Sequence, residues 1–162
     1  MNVQPIILII RLIKDFMELS DNQVLLYNQN FDLPKSGMII VVTYNNSTPI
    51  GTIKEAFDDG SGLSEKHTVT QVENYTISIL SSLEDEESTN RKEEILMALK
   101  SYKAEEVQRQ EHFSIAPIYS NFIRVPTEES GTQRLRFDID INLNTWYTKA
   151  VSIPYYDHNF GI

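Results

Sequence analysis

Two aspartates two positions apart, Asp138 and Asp140, have the residue types and spacing for paired-carboxylate chemistry. On a strand, side chains at i and i+2 share a face about 6–7 Å apart, a separation that could host a carboxylate pair acting on a glycosidic bond. Arg134 and Arg136 fall on the same parity. Alternating charge along one side of a strand is more simply an ion-pair ladder to a neighbouring strand or subunit, and surface pairs of that kind contribute about 0–1 kcal/mol each. No supporting base, metal ligand or pocket residue in the sequence completes a catalytic set around them.

Other candidate chemistry is thinner. His67, His112 and His158 lie on separate segments with no HxH or HxxxH spacing, so they read as isolated surface or loop residues. No G-x-S-x-G or S-x-x-K pattern offers a nucleophilic serine, and the absence of cysteine removes disulfides, thiolate zinc sites and cysteine nucleophiles together. Gly60-Ser61-Gly62 lacks the third glycine or the Lys-Ser/Thr of a phosphate cradle, and Asp58, Asp59 and Glu65 around it repel phosphate. The acidic run Glu84 to Glu87 is accounted for as the approach to a helix N-terminus, with a divalent-cation site as the sharper alternative. Trp146, Tyr147, Tyr155 and Tyr156 could stack on bases or sugars, but without a basic groove they read as the end of the core or a protein contact. No cofactor is implied.

Charge narrows the partners. With 23 acidic against 14 basic residues, the formal charge of −9 repels nucleic-acid phosphates over most of the surface. Tight, sequence-independent DNA binding is disfavoured, whereas a conduit along which DNA slides without sticking suits such a surface. At 162 residues the chain is the size of one domain, which buries roughly 70% of the surface its unfolded chain exposes.

The elements that would position these residues follow from periodicity. Arg134 to Leu143, RLRFDIDINL, alternates apolar Leu135, Phe137, Ile139, Ile141 and Leu143 with polar even positions, and so predicts a half-buried strand. Ile6, Ile9, Ile10, Ile13, Phe16 and Met17 keep helical spacing and predict a helix from about Pro5 to Leu19. Ile7, Leu8 and Leu12 make its other side apolar too, so it is covered either by its own domain or by a second subunit. Val24 to Tyr27 and the β-branched run Met38 to Tyr44 predict strands, the second buried on both faces.

Thr48 to Lys66, rich in Gly, Ser, Asp and Glu, reads as a long flexible loop. Thr68 to Ser81 predicts another strand, with a phase break near Gln71. Asn90 with Glu93 resembles a capping box for a helix to about Ser101, followed by a shorter helical piece to about Gln110. Phe113 to Ile118 and Phe122 to Val125 read as short extended pieces, and TEESGT, Thr127 to Thr132, as a turn. Asn144 to Thr148 reads as a reversal, with Val151, Ile153 and Tyr155 on a hairpin partner and residues 158–162 as a tail. The Ile6 to Ile10 run, interrupted by Arg11, is too short to span a membrane. The sum is a single α+β domain over residues 1–162: a mixed, mostly antiparallel sheet flanked by an N-terminal helix and a central helical segment.

In order, TVTQVENYTISILSS, RKEEILMALKS, FSIAPI, RLRFDIDINL and the terminal IPYYD resemble the tail-terminator, or neck-terminator, proteins of tailed bacteriophages. The resemblance covers about Met1 to Asp157 and rests on element order and phrases. It implies a non-enzymatic virion component, assembled in the host cytoplasm, whose homo-oligomeric ring, usually six-fold, caps the tail-tube protein and joins it to the head-side connector. Genomic DNA would pass through without specific binding. It offers no catalytic, cofactor or metal residue to carry over. Under it, Arg134, Arg136, Asp138 and Asp140 become a candidate subunit or channel face. Gly51, Asp58, Asp59, Gly60 and Gly62 in the long loop, and Glu128 and Glu129 in the later turn, become candidate interface positions. A head-tail connector or tail-tube protein, a small acidic immunity-type binding module, and an enzyme using Asp138 and Asp140 are the rival readings.

Overall fold

In a computed structural model of the chain, residues 4–27, 37–58, 60, 62–84, 86–129 and 132–153 are described. In order they form α1 (Pro5–Phe16), β1 (Val24–Leu26), β2 (Met38–Asp58), β3 (Leu63–Ser82), α2 (Glu87–Leu99), α3 (Tyr102–Glu111), β4 (Phe113–Ile115), β5 (Ile123–Arg124), β6 (Thr127–Glu129) and β7 (Thr132–Ser152). One mixed sheet runs β1-β2-β3-β7-β4, with β5 and β6 also on β7. Only β1 and β2 are parallel; the other pairs are antiparallel. The fold is α+β, as the periodicities predict.

The helices cover one face of one end of this sheet. Met38, Ile40 and Val42 of β2, Tyr75, Ile77 and Ile79 of β3, and Ile139, Ile141 and Leu143 of β7 point the same way and form the core with α1, α2 and α3. Fully burying one such aliphatic side chain contributes about 1.5–3 kcal/mol, so these layers carry the stability of the domain. On the opposite face Ile39, Val41 and Leu80 are also buried, with Leu25 packed against them, which explains why Met38 to Val42 reads as an unbroken apolar run.

α1 is covered by its own chain: Leu8 and Leu12, on the side that suggested a second subunit, are buried with Ile9 and Ile13. It ends with Glu18 in the left-handed region at φ 54° and the Leu19 amide donating to the Lys14 carbonyl, the bond that closes a Schellman turn. The Arg91 guanidinium of α2 donates to the Met17 carbonyl at 2.8 Å while Glu94 and Glu87 hold it in place, and Lys103 of α3 reaches Asp15. The three helices are thus tied through the C-terminal end of α1.

Three expectations need correction. First, α2 starts at Glu87, not at an Asn90 cap. The Ser88 amide donates to Ser81 Oγ, a partner on β3 that no local pattern reveals. Second, Thr48 to Lys66 is not a long loop: β2 continues to Asp58 and β3 begins at Leu63. Its polar composition reflects β2, which is exposed along residues 44–58, while Ser64 of β3 is buried. Extra residues in β2 between Tyr44 and Asn46 and between Pro49 and Gly51 reset the alternation twice, so no single parity survives to be read. The second bulge lies opposite Gln71 and Thr70, where the phase break was expected, but on the partner strand.

Third, Asn144 to Thr148 is not a reversal. β7 runs unbroken from Thr132 to Ser152, paired with β3 from Ser82 to Ser64. Val151 is therefore on the same strand, not on a hairpin partner. No glycine follows Asn144 to make a tight turn, and β3 offers a partner along the whole length. Tyr155, Tyr156, His158 and the 158–162 tail lie outside the described residues, as does Asp59.

Candidate assembly surface and its anchoring carboxylate

β2 and β7 are 21 residues each and β3 is 20, against a usual strand of about 5–6 residues. At about 3.3 Å per residue they span up to about 70 Å. The helices cover only the end that holds residues 38–44, 75–82 and 135–143. Beyond it the three strands continue as an arm of residues 46–58, 63–73 and 144–152, ending in the β2–β3 turn. Gly60, at φ +85°, belongs to that turn, where its amide donates to Asp58 Oδ1 at 2.9 Å. The glycines there serve chain reversal.

The arm exposes large apolar side chains on both faces. By register, Ile53, Phe57 and Trp146 point one way, while Leu63, Tyr147 and Val151 point the other; Ile53 is 57% and Phe57 40% exposed. Among the described residues, β1 pairs with β2 only at Ile40–Val42, and β4 with β7 only at Leu143–Thr145, so the outer backbone rows of residues 46–58 and 146–152 have no strand partner there. Large contiguous apolar patches mark interaction surfaces, and open edges template pairing with another chain.

The charged face foreseen on β7 is real but largely self-satisfied. Arg136 forks onto Asp138, Nε to Oδ1 at 2.8 Å and Nη2 to Oδ2 at 2.9 Å, and also reaches Ser78 Oγ. Asp140 accepts from Thr76 Oγ1 at 2.6 Å and remains exposed. Asp138 and Asp140 therefore share a face but have different partners. Arg134 is separate from this pair and lines a groove of about 400 Å³ with Arg124 and Thr127. Glu128 and Glu129 pair through their backbones with Gln133 and Thr132; Gly51 lies at the second bulge of β2. The structure thus places Gly51, Asp58, Gly60 and Gly62 on the arm and the four β7 charges on the body. Glu87 of the acidic run pairs with Arg91 at 3.2 Å, and among the described residues no three His, Asp or Glu side chains converge on a metal-sized site.

Sequence reasoning missed the most constrained group, Glu73, where arm meets body. It is only 4% exposed. Its Oε1 accepts from Gln71 Nε2 at 2.9 Å, Thr145 Oγ1 at 3.1 Å and Tyr147 Oη at 2.6 Å, and its Oε2 from Tyr75 Oη. Burial alone pushes the Glu73 pKa up, but the hydrogen bonds from Tyr147, Tyr75, Gln71 and Thr145 outweigh it and hold the carboxyl below its ordinary value. Desolvation and the same carboxylate push Tyr147 up to about 12 and Tyr75 higher. These donors come from β3 and β7, so the carboxylate cross-links the strands where helix cover ends.

Beside it is an open pocket of about 330 Å³ lined by Tyr44, Tyr75, Tyr147 and Glu73, with the first turn of α1 as another wall. Tyr44 meets Tyr75 edge to face, centroids 5.5 Å apart. The sequence signal for this site was Glu73 on the core-facing parity of β3, two residues before Tyr75, an acid where an apolar residue is expected. Trp146 and Tyr147 are not the end of the core: Trp146 stands over a shallow groove with Lys66, Arg109 and His112.

No helix among the described residues is long and apolar enough to cross a membrane. No protein-family model and no curated protein matches the chain.

Proposed function

We propose that the protein is a non-enzymatic assembly subunit of a tailed-bacteriophage virion, forming a homo-oligomeric ring, six-fold in its family's usual form, that caps the tail tube and joins it to the head-side connector. The observation that supports this reading best is the arm, with Ile53, Phe57, Trp146 and Val151 exposed across two faces and two open edges. An enzyme needs a rigid cleft; here three long strands form a surface that the described residues leave uncovered. In a ring, each arm lies against the next subunit, burying those apolar residues and pairing its edges. The resemblance of its phrases and element order to tail-terminator proteins is what supports a place for the ring in the virion. The charge of −9 lets genomic DNA pass through the centre without retention. Native mass measurement of the purified chain, alone and with tail tubes, tests this. A closed oligomer that binds the tube end is expected; persistent monomers under both conditions would overturn it.

A further inference from the structure

The Glu73 carboxylate is buried and charged, yet among the described residues no lysine, arginine or histidine pairs with it. Its donors are all neutral side chains: two tyrosines, a threonine and a glutamine. Buried carboxylates are ordinarily matched by a cation or a metal. Three bonds fall on Oε1 and one on Oε2, so acceptor capacity remains on Oε2. The first turn of α1 lines the same pocket, but Pro5 at its first position has no N–H to donate.

We propose that the pocket formed by Tyr44, Tyr75, Tyr147 and Glu73 binds an alkylammonium or guanidinium group, with the carboxylate taking its charge and the tyrosine rings its flanks. Tyrosine faces attract cations through the ring quadrupole, and Tyr44 and Tyr147 are each about half exposed at the rim. An anion is repelled by Glu73, and a neutral apolar ligand leaves the carboxylate desolvated without compensation. The volume of about 330 Å³ is at the small end of ligand sites, which fits the head of a side chain or a short amine. The source is either a lysine or arginine of a neighbouring protein chain or a free small amine. This inference does not depend on the ring reading, because it stands on the pocket of one subunit.

The test is NMR titration of the full chain with methylguanidinium and with N-acetyl-lysine methylamide, following the tyrosine ring signals. Saturable shifts are expected for both probes. Loss of the charge in Glu73→Gln weakens them about tenfold, and Tyr44→Leu, which keeps the carboxylate and its donors, weakens them about threefold. Native mass measurement in excess methylguanidinium separates the sources: dissociation of an assembly assigns the cation to a neighbour's side chain, and an unchanged mass assigns a free amine. Shifts that never saturate, or that saturate identically in wild type and Tyr44→Leu, would overturn the proposal even if Glu73→Gln failed to fold.

Discussion

Between Met38 and Val42, β2 is buried on both faces; between Asn46 and Asp58, the same strand exposes nearly every side chain. β3 and β7 change in parallel, from Ile77 and Ile139 in the core to the polar and apolar residues of the arm. Pairing between β3 and β7 is continuous across the change, and β2 stays paired with β3 on both sides of its bulges, so strand pairing does not distinguish the two regions. Cover does. In the body, helices remove apolar surface from water. In the arm nothing in the described chain does so, and a ribbon whose faces are both wet gains little from its side chains. Glu73 with its side-chain donors marks the boundary between the two regions.

The contrast breaks first in the body if it is wrong. Ile77→Ala, at a fully buried site, is expected to cost about 2–5 kcal/mol, read as a lower urea midpoint. Ile53→Ala in the arm should change the isolated subunit by less than about 0.5 kcal/mol. Similar losses at the two sites would mean that the arm is packed in the monomer.

At the boundary, Glu73→Gln removes the charged acceptor of buried hydroxyls and should cost about 1–3 kcal/mol. The sign of the pH effect is set by the depressed carboxyl: its contribution is present above the ordinary pKa of 4.5 and is lost as pH falls through the lower folded value. Urea midpoints measured downward from pH 5 should fall more steeply in wild type than in Glu73→Gln.

The smallest effect belongs to the charged face of β7. Arg136 and Asp138 are partly exposed, so a double-mutant cycle between Arg136→Ala and Asp138→Ala should return about 0–1 kcal/mol of coupling. A larger value would make that ladder a stabilising core feature.

The body was legible in the sequence because burial imposes periodicity. RLRFDIDINL showed its buried parity, and Ile6 to Met17 its helical face, since water excludes one side of each element. The arm was illegible for the same reason in reverse: with both faces exposed, no parity is selected, and the bulges near Asn45 and Ile50 scramble what remains. Asn144 to Thr148 suffered likewise, its strand identity being imposed by β3 from across the sheet. The start of α2 depends on Ser81, distant from any local cap. Glu73 was visible only as a misplaced acid, and its donors come together only through the β3–β7 register.

The central claim, that the arm is made for neighbours and the body for itself, is tested most directly by native mass measurement of the double variant Ile53→Asp/Phe57→Asp beside the wild type, with the urea midpoint of each recorded. The expected result is a closed oligomer for wild type and a monomer for the variant, with body unfolding unchanged when both are compared as dissociated subunits. An oligomer of unchanged mass in the variant, or a wild type that stays monomeric at every concentration, would contradict it.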